Sequence, residues 1–172
     1  MNPQRAEAIM DKIQASFDTG RREPKPDVVS YNALINAYGW SNEKVKALKC
    51  FEILERMIEE YTCNKNSSVR PDIITCNSVL NACAFTKAES ESEKAKLMDI
   101  VIQTFEIFQS AAPTYGYPDH STYAQVLSAI SKHMPKGDRR FGMAESTFWQ
   151  VSFDCLSTLC HLSRILIFLS IL

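Results

Sequence analysis

The chain has 172 residues, 45% of them hydrophobic and 23% charged, with only 5 Gly and 7 Pro. That composition belongs to a folded globular chain and excludes a disordered or low-complexity one. Lys+Arg 19 against Asp+Glu 20 leave a net charge of -1, so no global basic field draws phosphates, and nucleic-acid binding would need a placed surface.

In chain order, Asn2-Pro3 reads as a helix start, a capping residue followed by proline in the first turn. Ala6, Ile9, Met10, Ile13 and Phe17 then fall on one helical face. Residues 1–20 contain no apolar stretch of signal-peptide length and none of the basic, acid-poor composition of a transit peptide. A segment running from Pro26-Asp27-Val28-Val29-Ser30-Tyr31-Asn32 to Ala37 follows. It recurs from Pro71-Asp72-Ile73-Ile74-Thr75-Cys76-Asn77 to Ala82, and more loosely from Pro118-Asp119-His120-Ser121-Thr122-Tyr123-Ala124 to Ala129.

Within each copy the apolar positions superpose: Tyr31, Leu34, Ile35 and Tyr38, then Cys76, Val79, Leu80 and Cys83, then Tyr123, Val126, Leu127 and Ile130. Spacings of three, four and seven place each set on one face of a helix. Each such first helix is followed by a second amphipathic one. Its stripes are Ala47, Cys50, Phe51, Leu54, Ile58 and Tyr61, then Val101, Phe105 and Phe108, then Ala144, Thr147, Phe148 and Val151. No single helix can bury its stripe alone, but stacked antiparallel pairs can. The expected fold is therefore all-α, an α-solenoid of helix-turn-helix repeats. Residues 1–27 form the second helix of a cut repeat, 28–72 the first repeat, 73–119 the second, and 120–151 a partial third.

Asp27, Asp72 and Asp119, each after a proline, are placed to cap the helix that follows. Thr62 to Arg70 and Ala112 to Tyr117 read as loops between units, and Thr86 to Lys96 as a longer turn leading into an exposed helix start. Lys132, His133, Lys136, Arg139 and Arg140 form a basic cluster in the third inter-helix turn, either solvated or in contact with phosphate.

Cys50, Cys63, Cys76, Cys83, Cys155 and Cys160 contain no C-x-x-C pair, so they are expected to be small buried hydrophobes in a reducing compartment rather than metal ligands. His120, His133 and His161 have no partner at motif spacing, and no phosphate-cradling glycine loop is present. No catalytic residue, metal or cofactor is expected.

The repeated segment around Pro26–Ala37 and the Ala-x-x-Cys-Phe-x-x-Leu run at 47–54 resemble the two helices of a pentatricopeptide repeat. The resemblance extends over 1–151, although the units exceed the usual repeat length. It implies binding of single-stranded RNA, one base per repeat, in the processing, stability or translation of transcripts in a mitochondrion or plastid. It also implies that Asn32 with Asp72, and Asn77 with Asp119, read bases, with uracil favoured at these two adjacent repeats. Val29 and Ile74 would sandwich the bases. The third unit departs from the pattern, with Ala124 in place of the polar reader and Ser121 in place of the aliphatic. Other RNA-processing proteins are possible partners, and the alternative function is a protein-binding solenoid without RNA.

Residues 152–172 break the repeat and end in the apolar run Ile165–Leu172. Asp154, His161 and Arg164 interrupt it, so a membrane span of about 20 apolar residues is not expected. The open readings are a helix folded back on Phe148 and Val151, or a chain end foreign to the solenoid. The chain is expected to be a fragment of a longer repeat protein.

Overall fold

The computed structural model describes residues 3–19, 25–63, 66–137, 139–140 and 142–147. Among them there are helices and turns but no strand. The helices are α1 (Pro3–Asp18), α2 (Val28–Gly39), α3 (Lys46–Thr62), α4 (Ile73–Ala84), α5 (Glu91–Ser110), the short α6 (Ala112–Tyr115) and α7 (His120–His133). Residues 142–147 are helical as well. The tail at 152–172 lies outside the described residues.

The first helices α2, α4 and α7 pack side by side, each in turn against its neighbour, and α3 and α5 form a second layer behind them. Each pair closes by burying its stripe. Tyr31, Leu34, Ile35 and Tyr38 of α2 are all shielded, as are Cys76, Val79, Leu80 and Cys83 of α4 and Tyr123, Val126, Leu127 and Ile130 of α7. From the second layer come Cys50, Leu54 and Met57 of α3 and Val101 and Phe108 of α5. This is an α-solenoid of stacked helix pairs, in which every helix is stable only through its neighbours. The Tyr38 hydroxyl donates to the Glu7 carboxylate, tying α1 to α2.

Three readings are corrected at the level of single residues. The segment at 112–117 is not a plain loop: α6 turns Tyr115 inward, where its ring sits 5.5 Å from Phe108 and 6.0 Å from Tyr61. Gly116 then ends it at φ 99 and ψ 151, a region open in practice only to glycine. The polar stretch after α3 hides Val69 completely within a single 3-10 turn, Ser67–Val69. Cys50, Cys76 and Cys83 are buried, whereas Cys63 is exposed at the end of α3. Burial pushes the Cys50 thiol up to about 12, which leaves it protonated and inert.

Candidate nucleic-acid interface

The N-termini of the first helices carry the polar chemistry. At each Pro-Asp the aspartate adopts extended backbone and accepts from the backbone N–H three residues on: Ser30 for Asp27, Thr75 for Asp72, Thr122 for Asp119. For Asp72 and Asp119 the reciprocal bond is also made, from the aspartate N–H to the Thr75 and Thr122 hydroxyls, completing a capping box.

Helix stacking delivers an amide to two of these caps. The Asn32 amide on α2 donates from Nδ2 to Oδ1 of Asp72 at 3.3 Å, and its Oδ1 lies 2.7 Å from the Thr75 hydroxyl. One repeat later, Asn77 on α4 donates to Asp119 at 3.3 Å and lies 2.8 Å from the Thr122 hydroxyl. The two clusters are chemical copies. Thr75 and Thr122 are fully buried, while Asn32, Asp72, Asn77 and Asp119 are half-buried. Burial pushes the Asp119 carboxyl up, but the bonds from the Thr122 backbone and the Asn77 amide outweigh it and hold the group below 3.8.

Val29 and Ile74, each in the first turn of its helix, expose 68% and 58% of their surface. Both stand outside the core, on the side of each helix away from the buried stripe. About three turns further along the same helical face stand Trp40 and Phe85, 76% and 58% exposed. In the third unit Ser121 and Lys132 occupy these places, and Ala124 stands where the amide would be.

The basic cluster does not form one surface. Lys132 belongs to α7, with Nζ 3.0 Å from the Ala84 carbonyl and 3.8 Å over the Phe85 ring. His133 is buried with Nε2 3.0 Å from the Cys83 carbonyl, and burial lowers its pKa, so it is neutral rather than cationic. Arg140 is turned inward, with Nη2 3.4 Å from the Ser131 hydroxyl. Lys136 and Arg139 are solvent-facing. Packing engages the others: the last turn of α7 lies against the end of α4, where the Ala84 and Cys83 carbonyls meet Lys132 and His133, and Arg140 turns to Ser131. No metal-ligating cluster and no helix able to cross a membrane occur among the described residues.

Sequence reasoning missed Thr75 and Thr122. Their signal was present as a hydroxyl residue three positions after each Pro-Asp aspartate, but spacing alone showed only a cap, not a contact to the preceding repeat.

Stacked helix pairs of this kind define a helical-repeat protein. Residues 29–60 match the family model of the PPR repeat, so the chain carries a pentatricopeptide repeat, which supports a protein of that family. Such proteins generally bind single-stranded RNA and have no enzymatic activity of their own. No curated protein and no solved structure matches the chain.

Proposed function

We propose that this chain reads single-stranded RNA, one base at Asn32 with Asp72 and the next at Asn77 with Asp119. The observation that carries the reading is the duplication of one Asn–Asp–hydroxyl cluster at successive repeats, each beside an exposed aliphatic. An amide presents a donor and an acceptor together, which suits the edge of a pyrimidine such as uracil, whose ring N–H lies between two carbonyls. Val29 and Ile74 lie beside the amides and would cover the faces of the bases. With two such clusters the chain selects a short uracil-rich stretch rather than a whole transcript. Processing, stability or translation of mitochondrial or plastid RNA is the role the family resemblance favours; import of the gene product into isolated organelles tests that placement.

The direct test is selection from a random single-stranded RNA pool on the whole chain, with Asn32→Ala and Asn77→Ala in parallel. Adjacent uracils should be enriched, and each variant should lose the preference at one position only. A pool returned unchanged by the wild-type chain would end the reading.

One observation favours a second reading, a protein-binding solenoid. Exposed Val45 and Leu48 line a cavity of about 280 Å³ with Leu97 and Ile100, between the starts of α3 and α5. It lies among the second helices, away from the Asn–Asp clusters. Association with a protein that persists when the asparagines are replaced would support it.

A further inference from the structure

From hydrogen-bond bookkeeping we infer that Thr75 and Thr122 are positioning residues for base recognition: each hydroxyl sets the orientation of the reading amide in the preceding repeat. The inference rests on the RNA-reading proposal for its consequence, but not for its geometry.

Each threonine hydroxyl has one proton and two acceptors within reach. Thr75 Oγ1 lies 2.7 Å from Asn32 Oδ1 and 2.9 Å from Asp72 Oδ1. Thr122 Oγ1 lies 2.8 Å from Asn77 Oδ1 and 3.0 Å from Asp119 Oδ1. In both copies the asparagine is the nearer acceptor. Ser30 serves as the comparison, because no asparagine among the described residues bonds to its cap. Its hydroxyl turns to Asp27 Oδ1 and closes to 2.6 Å. Where an amide is present the aspartate contact lengthens, as expected when the proton points elsewhere.

The rest of the network then closes without a conflict. Asp72 Oδ1 accepts from the Thr75 N–H at 2.9 Å and from Asn32 Nδ2. Thr75 Oγ1 accepts from the Asp72 N–H at 3.2 Å and donates to Asn32. A flipped amide would set its oxygen against the carboxylate and leave the hydroxyl proton without its acceptor there. The carboxylate and the hydroxyl together therefore hold one amide orientation, whereas an aspartate alone would fix only the nitrogen side. One N–H and one lone pair of each amide remain, in a fixed order. That order decides which base edge can be met, so the reader at each repeat is a unit of three residues, with the third supplied by the next repeat.

The test uses the whole chain and the variants Thr75→Val and Thr75→Ser. Valine keeps the shape and removes the hydroxyl, while serine restores it. In the free protein, the Asn32 side-chain amide resonances should shift and lose exchange protection in Thr75→Val, with Asn77 unchanged, and return in Thr75→Ser. In selection from the random RNA pool, Thr75→Val should lower the uracil preference at the Asn32 position about tenfold, leave the Asn77 position intact, and be rescued by serine. Unchanged Asn32 resonances in Thr75→Val would overturn the inference. So would a wild-type base preference that survives the valine. A wild-type chain with no base preference would remove the RNA reading and this role in specificity together, while shifted resonances would still uphold the amide geometry.

Discussion

The cap at the start of α2 and the caps at the starts of α4 and α7 share one local motif, yet among the described residues only the latter two receive an asparagine amide. Asp27 accepts from the Ser30 backbone at 2.8 Å and from its hydroxyl, a purely local arrangement. Asp72 and Asp119 make the same backbone bond and in addition receive Asn32 and Asn77 from the helix stacked before them. Capping is thus a property of the turn, whereas presentation of the amide is a property of the repeat junction. The aspartates at the junctions combine both roles, and substitutions can separate them.

The largest effect is expected for Asp72→Ala, which removes a cap and an amide partner together. Stability should fall by about 0.5–2 kcal/mol, and discrimination at the Asn32 position by about 1–3 kcal/mol. Urea denaturation and RNA selection on the same variant measure the two. Asp27→Ala should cost the same capping energy, about 0.5–2 kcal/mol, and leave base preference untouched. A loss of preference there would break the distinction between the two kinds of cap.

Acidification tests what the two kinds of cap share. Asp119 has a carboxyl held below 3.8 in the folded chain, so its contribution is present above the unfolded value and lost as pH falls through the lowered one. Asp27 is lowered too, by the Ser30 hydroxyl and then the Ser30 backbone N–H. Asp119→Asn keeps an acceptor at the cap but cannot titrate in this range, so it should lose less stability than wild type between pH 7 and pH 3, measured by urea midpoints. The smallest effect on the fold is expected for Val29→Ala and Ile74→Ala. Both side chains are exposed, so stability should stay within about 0.5 kcal/mol, while retention of uracil-rich RNA drops. Equal loss of stability and binding would assign these residues to packing instead.

The helices were legible because burial is periodic: the stripes at Tyr31–Tyr38, Cys76–Cys83 and Tyr123–Ile130 recur at helical spacing, and every member is buried. The caps were legible because Pro-Asp acts within a few residues of chain. The meeting of Asn32 with Asp72 was expected only through the family resemblance, since nothing local in either residue names the other.

What the sequence alone determined is the set of helices, their apolar faces and their caps, because these depend on neighbours three or four residues away. What only the tertiary structure decided is which polar groups meet across repeats. The stacking of α2 on α4, and of α4 on α7, brings a threonine hydroxyl to an asparagine amide more than forty positions earlier. The same stacking draws His133 inward while leaving Val29 and Ile74 in solvent. A side chain's exposure and hydrogen-bond partners follow from the surface packed against it, and that surface is made by distant parts of the chain.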